Sequence, residues 1–324
     1  MRLMILLAAL CAALFLASVL IGPAGLPLGD SLHALISGEG AAGIVMREIR
    51  APRAVLALII GAALGLSGAA MQGYLRNPLA EPGLIGVSGS AALGAVIALQ
   101  TGFAAAFALA LPLAALLGAL AAVGLILMMA GPGGGSLALI LAGVAISAFA
   151  GALTSLVLNL SPNPYAAGEI VFWMMGSLAD RSWLHVAIAA PFLLAGTTLI
   201  AGTGRGLDAL TLGEDAAQSL GIGLRSLRWR VVLGVAAMVG AATAVAGAIG
   251  FVGLVVPHLL RGAVGGRPGR LLGASALGGA ALVLAADIAV RVILPGRDLK
   301  LGVVMALIGT PVFVQLIWRQ RRGL

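Results

Sequence analysis

Thr203–Arg230 reads TGRGLDALTLGEDAAQSLGIGLRSLRWR, the one long segment that joins charge to an amphipathic helical pattern between two oily halves of the chain. Inside it, Gly213 and Gly221 bracket Glu214, Asp215, Ala216, Ala217, Gln218, Ser219 and Leu220. The two acids suit the first turn of a short helix, where the positive end of the helix dipole favours them. Ala, Gln and Leu propagate it, and Gly221 is a natural stop. A helix of about two turns does not hold itself together in water, so it must rest on something. Two readings stay open at this point: a connector lying on its own protein, or a lever on which a soluble protein bears.

The flanking halves decide the class. Hydrophobic residues make up 61% of the chain, charged residues 9%, and 48 positions are glycine; the mean hydropathy is +1.14. That composition belongs to a multi-span helical membrane protein, and the absence of β-branched alternation argues against a membrane barrel. The net charge of +8 does not point to nucleic acid, because the arginines sit at the ends of apolar runs. Cys11, the single cysteine, has no partner for a disulfide within the chain.

Working outward, Leu3–Ile21 is a first apolar run, read as a retained helix in preference to a cleaved signal because it is long and many spans follow. Gly22–Arg53 reads as a mixed loop, Ala54–Tyr74 as a span with a Gly61/Gly65 contact face, and RNPLAEPG (Arg76–Gly83) as a break. No Asp, Glu, Lys or Arg stands between Glu81 and Glu169, room for roughly three spans at about 20 residues each. These are placed near 84–100, 103–129 and 138–160. Asn159–Trp183 is Trp- and Met-rich and reads as an interfacial segment, after which Leu184–Gly202 spans again. Val231–Leu260 is too long for one upright span and short for two.

A repeat resolves that ambiguity. GLIGVSG at 83–89 recurs as GAIGFVG at 247–253, and at the same offset Leu137–Phe149 overlies Leu301–Phe313. The repeat makes 250–264 a short span and brings the total to about ten, in two halves of inverted topology because five spans separate equivalent helices. Further spans fall near 271–289 and 302–318. With both termini inside, the larger share of the 19 Lys and Arg residues lies on the inner side, which satisfies the positive-inside rule and puts Thr203–Arg230 in the cytoplasm. The chain is then a single all-α membrane domain, 1–324, in which 1–202 holds six spans, 203–230 the cytoplasmic loop and 231–324 the remaining spans.

Several chemistries lack their residues. His33, His185 and His258 are scattered and have no acids at ligand spacing. GLIGVSG follows no strand and has no acid about twenty residues on, so it is not a dinucleotide fingerprint. A phosphate-binding loop needs Gly-Lys-Ser/Thr, yet the one lysine, Lys300, precedes Leu301, and GPGGGS (Gly131–Ser136) carries none. Ion-coupled carriers place an acid near the midplane, whereas Glu81, Glu169 and Asp287 fall at predicted span ends. A buried essential carboxylate would favour such a carrier, or an intramembrane enzyme. A transporter without its own motor or ion site needs an external motor.

The chain resembles the FecCD-type permeases, membrane subunits of binding-protein-dependent ABC importers for ferric siderophores, haem and cobalamin. The resemblance rests on Arg47–Ala95 (REIRAPRAVLALIIGAALGLSGAAMQGYLRNPLAEPGLIGVSGSAALGA), FWMMGSL (Phe172–Leu178), LGEDAAQSLG (Leu212–Gly221), most of Ala246–Arg291, and GVVMALIGTPVFVQLIW (Gly302–Trp318). It implies a homodimer of this chain in a bacterial inner membrane, two separate ATP-binding subunits that use ATP and Mg, and one periplasmic substrate-binding protein; no cofactor is implied on this chain. It also implies that Gly213–Gly221 docks on the ATPase and that Arg50, Arg53 and Arg291 meet acids of the binding protein, a set to which neighbouring Arg47 is added. The pore would be lined by helices near 137–160 and 302–318, with a gate at Gly135, Ser136 and Leu137. The run Gly133–Gly135 departs from the bulkier polar residues usual there. The cargo expected is an iron chelate, with cobalamin as the alternative.

Overall fold

The computed structural model describes residues 2–23, 25–107, 109–131, 136–161, 164–293 and 299–322. The chain opens with α1 (Arg2–Leu20), α2 (Leu28–Ser37) and α3 (Gly40–Ile44), then a π-helical turn, Val45–Arg50, runs into α4 (Ala51–Tyr74). A 3-10 turn at Pro82–Ile85 leads to α5 (Val87–Gln100), followed by α6 (Phe103–Ala106), α7 (Ala110–Ala130), α8 (Ser136–Asn159) and α9 (Pro164–Met174). The second half comprises α10 (Trp183–Ala201), α11 (Gly204–Leu210), α12 (Glu214–Ser219), α13 (Leu224–Ala246), α14 (Val252–Arg261), α15 (Pro268–Ile293) and α16 (Leu301–Arg322). Among the described residues, seven helices are long and apolar enough to cross a membrane, and α5, α14 and α16 contribute shorter apolar stretches. These are the ten expected spans.

The centre of the bundle is α4 and α13, whose apolar stretches are mostly buried, while α1 and α10 lie outside. In lipid, apolar surface alone does not draw helices together, so close packing of small side chains must. The α4–α15 contact shows how. A Cβ on Gly65 would sit 2.0 Å from the Ser275 carbonyl oxygen, and one on Gly279 would sit 2.2 Å from that of Gly61. The two backbones touch because nothing larger than hydrogen stands between them.

Three local expectations are corrected. Gly22–Arg53 is not a loop: α2, α3 and the π turn fill it, and the helix is continuous from Gly40 to Tyr74. Pro52 lies inside that helix and brings no N–H; the π turn just before it loosens the hydrogen-bond ladder where a proline ring would otherwise collide. The span placed at 103–129 begins at Ala110, because Phe107 turns extended after the four-residue α6. The last residues of Thr203–Arg230 belong to α13, which starts at Leu224.

The internal repeat is visible as two interrupted helices. Both α5 and α14 start from a residue in the left-handed region, Gly86 at φ 78° and Phe251 at φ 67°. Sequence alignment pairs Gly86 with Gly250, so the second break is shifted by one residue and falls on a phenylalanine. Within α14, Pro257 has no N–H for the Gly253 carbonyl. The Gln72 side chain supplies one from α4, with Nε2 at 3.4 Å from both Gly253 O and Leu254 O. Arg261 donates to Gln72 Oε1 at 2.6 Å and so orients that amide.

Candidate functional site

Two polar regions lie at opposite ends of α4 and its antiparallel neighbour α15. At one end stands α12. Gly213 takes φ 108° as its N-cap and Gly221 takes φ 81° after its last turn, conformations that favour glycine. The helix closes as expected, with the Gly221 N–H donating to Gln218 O at 2.8 Å and the Ile222 N–H to Ala217 O at 3.0 Å. Ala217 is fully buried and anchors α12, which packs on α11 and α13. Ala216 is half-buried, whereas Glu214, Asp215, Gln218, Ser219 and Leu220 are exposed. Leu220 and neighbouring Leu212 are 62% and 68% exposed, a wet apolar pair flanking two acids.

α12 is tied to the long helices through α11. Asp208 Oδ1 accepts the Gly269 N–H at 2.7 Å, at the first turn of α15. Arg228, buried at the start of α13, donates to the Gly131 carbonyl at 2.9 Å and so caps the end of α7.

At the other end the four arginines Arg47, Arg50, Arg53 and Arg291 converge. Asp287, fully buried near the end of α15, is paired with Arg53 Nη2 at 2.8 Å and with Arg291 Nη2 at 2.9 Å. Arg291 Nη1 also donates to Ser18 O at 2.9 Å and Ile21 O at 2.7 Å, and its Nη2 to Ser18 Oγ at 2.7 Å. Arg50 Nη1 donates to Leu20 O at 2.6 Å. These carbonyls end α1, where no intrahelical donor remains and the dipole is negative. Arg47 does the same for α2, donating to Leu35 O at 2.9 Å and to Ile36 O; Trp183 Nε1 in turn donates to Arg47 O at 2.9 Å. Arg50 and Arg291 are therefore buried, Arg53 is half-buried and Arg47 exposed. In the loop before α10, burial lowers the Arg181 guanidinium below its ordinary value, with Asp180 opposing.

Sequence reasoning brought the four arginines to one side of the membrane but missed what holds them. Asp287 was visible as an acid near a span end, four residues before Arg291. Ser18 and the α1 carbonyls left no mark in composition or spacing. Asp287 is buried, as the carrier reading would require, yet two guanidinium groups neutralise it. Of the gate residues, Gly135 lies outside the described residues, Ser136 begins α8, and Leu137 is 67% exposed.

The ten-helix bundle with polar ends defines a multi-pass membrane permease. The chain belongs to the FecCD transport family, whose profile matches residues 10–319. It is 40% identical over 278 residues to the hemin transport system permease protein HmuU of Yersinia pestis, covering 85% of this chain and 83% of that one. It is 41% identical over 276 residues to the vitamin B12 import system permease protein BtuC of Vibrio cholerae, covering 84% and 82%. A solved structure described as an inward-facing metal-chelate-type ABC transporter superposes with a TM-score of 0.88 at 31% identity, over 98% of this chain and 99% of that one.

Proposed function

We propose that this permease is the membrane-spanning subunit of an ABC importer that carries an iron chelate, a ferric siderophore or haem, across the bacterial inner membrane. Two copies enclose the path, lined by α8 and α16, and both termini are cytoplasmic. Two separate ATP-binding subunits, which use ATP and Mg, bear on Gly213–Gly221. A periplasmic binding protein delivers the cargo at the end that carries Arg47, Arg50, Arg53 and Arg291. The observation that carries this reading is α12: a short helix seated by one buried alanine, with its acids and Leu220 exposed and, among the described residues, nothing packed on its outer face. A connector has no need of an exposed leucine pair.

The mechanism follows from the connections. Force on α12 passes to α11, and from Asp208 to the start of α15. Near the far end of α15, Arg291, paired with Asp287, holds the end of α1 on the binding-protein side. Nucleotide-driven closure below and receptor engagement above thus act on one rigid helix. The exposed faces of α8 and α16 are mostly apolar, with Leu141, Val144, Phe149, Leu307 and Val314 beside Ser155 and Thr310; they offer a bulky chelate no strong ligand and leave selectivity to the binding protein.

Cobalamin is the alternative cargo, since the haem and B12 relatives are equally similar. The experiment is reconstitution of the permease with its ATPase subunits and binding protein in liposomes, with labelled haem, ferric siderophore and cobalamin in competition. ATP-dependent uptake of an iron chelate that excess cobalamin does not inhibit is expected. Uptake without nucleotide or companion subunits would overturn the reading.

A further inference from the structure

The described residues include three non-glycine residues with positive φ, Arg76, Asp180 and Phe251. Phe251 alone of these starts an interrupted membrane helix. A Cβ in the left-handed region costs energy, and such a conformer persists where its surroundings over-determine it. Here the surroundings are identifiable. The Phe251 N–H donates to Glu81 Oε1 at 2.6 Å, and Glu81 belongs to the break in the other half of the chain, between α4 and α5. Pro82, the next residue, packs so closely on Gly253 that a Cβ there would lie 2.7 Å from the proline Cδ. One break thus grips the other.

The consequence appears on α16. A Cβ on Gly309 would fall 2.3 Å from Cγ of the Phe251 ring, so the ring occupies a notch that exists because position 309 has no side chain. The packing of α16 within the chain is chiefly against α14 and α15, while Leu307 on it is 70% exposed. The start of α16 is tied down separately, with the Gly302 N–H donating to Gly176 O at 3.3 Å; Phe251 grips the helix farther along, and its direction depends on the left-handed backbone that Glu81 holds.

We propose that Glu81 is the positioning residue that seats Phe251 against Gly309 and thereby sets α16 for transport, resting for that last clause on the reading that α16 lines the path. The carboxylate caps α14 across the two halves, and an acid at a helix N-terminus is held by charge as well as by hydrogen bonding. When the bond is lost, Phe251 relaxes out of the left-handed region, the ring leaves its notch and α16 loses register with α14.

The test uses the full-length permease, alone in nanodiscs for hydrogen exchange and with its ATPase subunits and binding protein in liposomes for uptake. Glu81→Ala should speed exchange of the 251–254 amides at least tenfold, with α4 and α15 unchanged. Glu81→Gln, which keeps an oxygen acceptor, should speed it less than threefold. Cargo moved per ATP hydrolysed, with labelled haem, a ferric siderophore and cobalamin tried in parallel, should fall about fivefold in Glu81→Ala and be largely retained in Glu81→Gln. Gly309→Ala, which fills the notch, should reproduce the transport loss and leaves a test if Glu81→Ala does not fold. Unchanged exchange at 251–254 in Glu81→Ala overturns the latch. Faster exchange with unchanged cargo per ATP overturns the positioning of α16. Absence of ATP-driven uptake in the unaltered protein counts instead against the importer reading, and the exchange result still decides the latch.

Discussion

The Asp208 carboxylate accepts the backbone N–H of Gly269 at 2.7 Å, which joins the short helices below the bundle to the first turn of a helix about 39 Å long. Asp208 is an N-cap supplied from another element. It satisfies a donor that α15 leaves open and places negative charge at its positive end. Asp208→Ala should cost about 1 kcal/mol of stability and lower uptake more than it lowers ATP hydrolysis, whereas Asp208→Asn should retain most of both. Thermal unfolding in nanodiscs and the ratio of uptake to hydrolysis measure the two effects.

Reversing Glu214 and Asp215 to lysine places two cations at the start of α12, where the dipole opposes them by about 0.3–1 kcal/mol each. The permease should still insert, because Ala217 and the bundle beneath are untouched. Co-purification of the ATPase subunits should drop, and uptake with it. Normal assembly would remove α12 from the ATPase interface.

Asp287, itself fully buried, is the shared counter-charge of Arg53 and Arg291. Asp287→Ala leaves two guanidinium groups facing each other and should destabilise the protein by about 3–5 kcal/mol. Arg53→Ala should cost less, since Arg291 still balances the carboxylate. Unfolding midpoints of the three proteins order these effects, and exchange in the last turn of α1 reports whether Arg291 has let go.

For the binding protein, Arg47→Ala and Arg53→Ala are the informative changes, because Arg50 and Arg291 are buried in capping α1. Each should weaken binding-protein affinity about tenfold, the worth of one charge-assisted hydrogen bond. Affinity for the unaltered permease should fall as salt rises. Equal affinity in all three would take the arginines out of the docking surface.

The α4–α15 contact should tolerate no added atom. Gly65→Ala puts a methyl group 2.0 Å from the Ser275 oxygen and should cost about 1–3 kcal/mol. Gly124→Ala on α7 meets open space and should be neutral or stabilising by about 0.5–1 kcal/mol. Denaturation of the pair separates crowding from helix propensity.

Class, span count and the interrupted α5 and α14 were legible in the residues themselves. Runs of apolar side chains between charged ends admit one solution in a bilayer, where each backbone group must find its partner within the helix. GEDAAQSLG likewise announced α12 through its acids and bracketing glycines. Gly22–Arg53 misled, because its scattered charges read as solvated loop whereas Arg47 and Arg50 bond back to the chain and cap α2 and α1. What the sequence by itself determined is therefore local: where helices run, where they stop and which end carries which charge. Only the tertiary structure decided that Asp287 sits between Arg53 and Arg291, that Gln72 serves the carbonyl Pro257 abandons, and that Glu81 holds Phe251. Each joins positions far apart in the chain through one hydrogen-bonding group, and such a bond depends on the angle between two packed helices, which no periodicity records.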